Sequence, residues 1–159
     1  MQIRFVHENE LPELLALLRA KAEFDGNIQI FVATIDSLRA ALFSDSPMAK
    51  AIVAVEDGVV IGMATFYASF SSFIAKPCIW LDDLYVYEGH RSKGVGRSLV
   101  KHLSALVHEQ GCGRIDWVVA AHNNQGKEFY SRLGATIFDS IRLARLDESA
   151  IHVLTHEDA

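Results

Sequence analysis

The run Leu84-Tyr85-Val86-Tyr87-Glu88-Gly89-His90-Arg91-Ser92-Lys93-Gly94-Val95-Gly96-Arg97 most restricts what this chain can become, because an apolar strand passes through a glycine-bearing turn straight into a helix. The first N–H groups of a helix have no carbonyl one turn earlier, and the aligned peptide dipoles add partial positive charge at the same point. An anion satisfies both deficits. Gly94 and Gly96 remove side chains that would hold a pyrophosphate off the backbone, while Arg91, Lys93 and Arg97 add positive charge around the turn. Two glycines by themselves are equally compatible with a tight turn that binds nothing. The three flanking cations favour the anion.

The two common nucleotide loops do not fit this stretch. A P-loop requires Gly-x-x-x-x-Gly-Lys-Ser/Thr, and a dinucleotide fingerprint requires Gly-x-Gly-x-x-Gly in the first βαβ unit. Here the pattern is Arg-x-x-Gly-x-Gly, it lies past mid-chain, and Gly96 is followed by Arg97-Ser98-Leu99.

Around this turn the pattern predicts strands and helices in alternation. Gln2 to Val6 reads as a strand, and Asn9 is positioned to cap a helix with Leu11, Leu14, Leu15, Leu18 and Ala22 on its inner face. Thr34 caps a second helix with Leu38, Ala41 and Leu42 inward, stopped by Ser44-Asp45-Ser46-Pro47. Lys50 to Glu56 and Val59 to Phe70 read as strands joined by Asp57-Gly58, a two-residue hairpin signal, and a further strand runs from Cys78 to Tyr87. The helix after the glycine turn carries Val95, Leu99, Val100, Leu103, Leu106 and Val107 on one side and stops at Gly111. Arg114 to Ala121 reads as a strand, Asn123 and Asn124 open a helix that ends at Gly134, and Ala135 to Asp139 and Ile141 to Leu146 read as a final antiparallel pair. His152 to Ala159 reads as a loose tail.

At 159 residues, half of them hydrophobic, the chain suits one domain spanning 1–159. No apolar run approaches the roughly 20 residues of a membrane span, and the expected location is cytoplasmic. A net charge of −5 disfavours nucleic acid and suits a cationic substrate. Cys78 and Cys112 form no Cys-x-x-Cys motif, and His90, His102, His108 and His122 lack metal-ligand spacing, so no metal is expected.

Arg91-Ser92-Lys93-Gly94-Val95-Gly96, preceded by Leu81-Asp82-Asp83-Leu84-Tyr85-Val86, resembles the acyl-CoA pyrophosphate motif of the GNAT N-acetyltransferases. Asn123 followed by Glu128-Phe129-Tyr130-Ser131-Arg132-Leu133-Gly134-Ala135 is similar to the family's next segment. Trp80-Leu81-Asp82-Asp83-Leu84-Tyr85-Val86 looks closest to the diamine, polyamine and thialysine branch. The resemblance implies an α/β fold with a mixed, mainly antiparallel twisted sheet of about seven strands flanked by about four helices. It implies acetyl-CoA as co-substrate, held by Leu84, Tyr85 and Val86 at a bulged strand, by Arg91 to Arg97 at the turn, and by Asn123 and Tyr130. Tyr130 is then the acid that protonates the departing thiolate, and Asp82 the group that takes the amine's proton. Asp25 and Asp83, and less directly Glu23, become contacts to a small cationic amine, a diamine, polyamine or lysine analogue. A homodimer is implied in the same way. Ser72 and Phe73 stand where the polyamine enzymes are expected to carry an acid and a tryptophan, which counts against spermidine or spermine. Acetylation of a protein N-terminus or lysine, and a non-catalytic acyl-CoA-binding module, remain as alternatives.

Overall fold

Two consecutive residues with positive φ, Asp57 at 51° and Gly58 at 79°, make the turn that the sequence signals, and its twist matches that of the strands it joins. The computed structural model describes residues 1–156. Its elements follow as β1 (Gln2–Phe5), α1 (Leu11–Phe24), α2 (Ile35–Phe43), β2 (Lys50–Glu56), β3 (Val59–Ser71), β4 (Lys76–Val86), α3 (Val95–Glu109), β5 (Ile115–Asp116), α4 (Asn124–Arg132) and α5 (Glu148–His156). Met1–Val118 closes on itself as one compact unit, and the chain from Val119 forms a second.

In the first unit the strands lie in the order β1-β2-β3-β4-β5. The first four pair antiparallel, and β5 joins β4 in parallel after the α3 crossover. Alternation along the strands gives the sheet two apolar faces. One carries Ile52, Ala64, Phe66 and Leu81, covered by the Val95, Leu99, Leu103 and Val107 stripe of α3. The other carries Ala51, Val53, Val60 and Met63, covered by Leu11, Leu14 and Leu17 of α1 and by Leu38 and Leu42 of α2. Gly62 fits where a side chain would crowd β4, since a Cβ there would sit 3.0 Å from the Tyr85 carbonyl, with Leu99 of α3 in ordinary contact at 3.5 Å.

Two bulges interrupt the pairing, between Ala54 and Val55 on β2 and opposite Thr65/Phe66 on β3. In the second, Thr65 faces Asp83 and Phe66 faces Leu81, so Asp82 is the extra residue. The bulge therefore lies at Asp82, just ahead of the Leu84 to Val86 segment that the resemblance expects to supply free backbone N–H groups.

Three expectations are corrected. The described sheet has five strands, because residues 135–139 and 141–146 join no strand among the described residues; Ile141 and Leu143 stand 67% and 62% exposed. Alternation gives those segments strand propensity, but a strand exists only where a neighbour accepts its backbone bonds. The strand expected from Arg114 to Ala121 is reduced to Ile115–Asp116, the two residues that β4 meets at Ile79 and Trp80. Asn9 does not cap α1: it lies inside a 3-10 turn, Glu8–Glu10, where Glu10 accepts from the His7 N–H at 2.9 Å and from Arg4 at 2.7 and 2.8 Å. His152 to His156 lie at the end of α5, exposed along their length, and the start of that helix is held by Asp147 accepting from the Ala150 N–H at 2.9 Å. The remaining tail residues, 157–159, lie outside the described residues.

In the second unit, the Asn123 side chain accepts from the Gly126 N–H at 2.8 Å and caps α4, as its sequence position predicts. Gly134, at φ 90°, ends that helical turn.

Candidate active site

Strand β4 carries the site, and the direction of its amides decides where a ligand can lie. The Asp83 N–H donates to Thr65 Oγ1 at 3.2 Å and the Tyr87 N–H to the Ile61 carbonyl at 3.0 Å, so both point towards β3. The intervening alternate residues, Leu84 and Val86, turn their N–H and C=O groups to the opposite edge. There β5 pairs only with Ile79 and Trp80, leaving the edge from Leu84 onward without a strand partner among the described residues. An extended ligand with amide groups, such as a pantetheine arm, matches this edge.

That edge runs directly into the glycine turn. Ser92 and Gly94 adopt φ 60° and 83°, and Gly94 sits at the head of α3. A Cβ on Gly94 would meet nothing within 4 Å, so no other part of the chain crowds the turn at this residue. Val95 is buried beneath the turn and offers only its backbone. Arg91 Nε donates to the Val86 carbonyl at 2.9 Å, and its guanidinium lies 4.9 Å from the Phe24 ring centre and 5.2 Å from that of Tyr85. Lys93 Nζ donates to the Gly89 carbonyl at 2.8 Å. Both cations thus fix the shape of the turn while adding their charge to it, and Arg97 is exposed in the first turn of α3. The turn, its unpaired amides and its three cations fit a pyrophosphate.

At the bulge the acids collect. Asp82 is exposed, and Asp83 is half-buried on the face covered by α1. The end of α1 brings Lys21 between Asp25 and Asp83: its ammonium donates to Asp25 Oδ2 and lies 3.6 Å from Asp83 Oδ1. Burial pushes the Asp83 carboxyl up from its ordinary range; Lys21 pulls it down, and the neighbouring Asp82 and Asp25 charges push it up again. Tyr67, stacked on Trp80 at 6.5 Å, has its phenol raised by burial and then by the Asp82 charge. Phe24 lies 6.2 Å from Tyr85 and forms part of this wall. Glu23 is exposed and none of the described contacts brings it to the cluster.

Lys21, Thr65 and Tyr67 were not singled out by the sequence. Lys21 had one signal, its spacing of four residues before Asp25 on a helix. Thr65 and Tyr67 had none, since only the register of β3 against β4 puts them opposite Asp83 and Trp80. In the second unit Tyr130 stands on α4, half-buried and edge-on to Phe129 at 5.1 Å.

Comparison with known proteins agrees with this geometry. Residues 12–135 match the Acetyltransferase (GNAT) family. An L-ornithine N5-acetyltransferase from Arabidopsis thaliana is 32% identical over 63% of this chain and 44% of its own length. This chain thus spans under half of that relative. A thialysine N-epsilon-acetyltransferase from Bos taurus is 26% identical over 85% of this chain and 84% of its own. An integron cassette protein from the mobile metagenome of V. cholerae superposes with a TM-score of 0.78 at 26% identity, covering 98% of this chain and 97% of that one. The chain belongs to the GNAT acetyltransferase family.

Proposed function

We propose that this chain is an acetyl-CoA-dependent N-acetyltransferase acting on the primary amine of a small cationic substrate, with both reactants bound at once. The observation that carries the reading is the run along β4, where an acid cluster at the bulge is followed by an unpaired edge and then by an anion-binding turn. Acetyl-CoA would supply an activated thioester. The Ser92 to Gly96 amides, with Arg91, Lys93 and Arg97, hold its pyrophosphate, and the Leu84 and Val86 backbone groups hold its amide-bearing arm. A donor on this edge also favours negative charge that develops on the thioester oxygen.

Bringing amine and thioester together in one orientation is the largest contribution, roughly 7–11 kcal/mol. The amine arrives as an ammonium and reacts only once deprotonated. Asp82, exposed at the bulge, attracts the cation and accepts its proton, directly or through water. The departing thiolate needs a proton, and Tyr130 is given that role on the resemblance of its Phe129-Tyr130 segment, which lies within the matched residues 12–135. Asn123 is assigned to the cofactor on the same basis, and a homodimer by family resemblance. The amine specificities of the ornithine and thialysine relatives support a small cationic substrate.

Acetyl-CoA-dependent release of free thiol, over a panel of monoamines, diamines, lysine analogues and lysine-bearing peptides against an amine-free control, tests the reading. Saturable release with a small cationic amine is expected. Release with peptides alone would move the activity to protein acetylation. CoA binding with no release would make the chain a binding module.

A further inference from the structure

The acid cluster that would receive a cationic amine already contains a cation. Lys21 reaches it from the last turn of α1, with its side chain only 20% exposed, and pairs with Asp25 Oδ2 while lying 3.6 Å from Asp83 Oδ1. Asp25 and Asp83 are 28% and 27% exposed at their side chains, so the three groups share a partly dehydrated site. The end of α1 adds its C-terminal carbonyls, which favour positive charge at the same place. The Asp83 carboxylate is held on its other side by Thr65, whose Oγ1 lies 3.5 Å from Oδ2.

We infer that Lys21 is a built-in occupant of the second ammonium position and limits the site to amines that present one cation, at Asp82. This deepens the transferase reading and rests on it for the identity of the ligand. The charges support the assignment. Lys21 pairs with Asp25 and Asp83, whereas Asp82, next to Asp83 in the chain, takes part in none of the described ion pairs. Asp82 stands exposed at the bulge two residues after Trp80, whose ring stacks on Tyr67, so an incoming ammonium meets an acid on a strand that also presents aromatic surface. A diamine lying with one end at Asp82 would place its other ammonium against Lys21, and like charges at that distance in a partly buried site repel strongly. Lys21 therefore subtracts one charge and one position from a site whose sequence, with its three acids, reads as suited to a diamine.

The test uses two amines of equal carbon length, n-butylamine and 1,4-diaminobutane, bound to the full chain and followed by calorimetry. Lys21→Met keeps the apolar stem and removes the charge. It is expected to shift the preference towards the diamine by about tenfold or more, while Lys21→Arg, which restores the charge, stays within about twofold of the parent. Lys21→Gln serves as the second charge-removing variant if Lys21→Met does not fold. An unchanged preference in a folded charge-removing variant, no measurable binding of either amine by it, or the same shift in Lys21→Arg would overturn the inference. Thiol release by the unsubstituted chain decides the transferase reading separately. A parent that acetylates amines with no shift on Lys21 substitution would sink the inference alone, and a clear shift in a chain that transfers nothing would sink the transferase reading alone.

Discussion

The two ends of the β4 site are built in opposite ways. The anion turn is made by consecutive residues, from the Val86 carbonyl to Arg97, and its key contacts, Arg91 to Val86 and Lys93 to Gly89, span four or five positions. The acid cluster joins the end of α1 to a bulge nearly sixty residues later, through Lys21 and Asp83. A local motif keeps its meaning wherever the chain carries it. A cluster assembled across the fold takes its meaning from whatever else arrives there, and here a lysine arrives. The teaching is that the acids were legible one by one, but their net charge was not.

Substitutions can separate the two ends. Asp82→Asn should lower turnover by about 100-fold or more while acetyl-CoA affinity stays near the parent's, since it removes a proton acceptor at the amine end only. Unchanged kcat would take Asp82 out of the chemistry. Gly94→Asp should act at the other end, weakening acetyl-CoA binding at least about tenfold by placing a carboxylate where an anion would sit. Gly94→Ala isolates the cost of a side chain at φ 83°, roughly 1 kcal/mol, from the charge effect. If Ala and Asp weaken binding equally, the turn has no electrostatic role. Equal affinity in both would reduce it to a bend.

Two carboxyls sharpen the contrast through pH. Glu10 is a structural acid: its side-chain hydrogen bonds from Arg4 hold it well below the usual range, at about 2. Because its folded value lies under its unfolded one, it stabilises the fold at neutral pH and loses that contribution as pH falls from about 4.5 towards 2. Glu10→Gln should cost roughly 2 kcal/mol at pH 7, and the difference from the parent should vanish in urea titrations at low pH. Asp83 is raised, chiefly by burial, so its contribution is present at low pH and is lost as pH rises through the raised value. Asp83→Asn should therefore leave neutral-pH stability unchanged or raise it by up to about 1 kcal/mol, while weakening amine binding. A large loss of stability in that variant would make Asp83 a structural acid like Glu10.

Much of the first unit was legible for plain reasons. Asp57-Gly58 permits few backbone shapes, Thr34 has a Ser37 N–H to accept at 3.1 Å, and the spacing from Val95 to Val107 leaves one apolar face for α3. Residues 135–146 form no strand because alternating residues such as Ile141, Arg142 and Leu143 state a propensity without supplying a partner. Asn9 was misread as a cap because Glu10, held by Arg4 from β1, takes over the turn before α1. Leu17 was left out of the α1 stripe although it is fully buried, since α1 meets the sheet on a slightly different arc from the one the leucine pattern suggested.

The sequence by itself determined the order of the central strands and helices, the phosphate-type turn and the family resemblance. All of these rest on residues close together in the chain, where backbone geometry and side-chain spacing leave little freedom. Tertiary structure decided which β4 amides stay unpaired, that the bulge falls at Asp82, and that Lys21 rather than solvent stands between Asp25 and Asp83. Register and helix placement fix those facts, and both follow from burial summed over the whole core, which no single segment encodes.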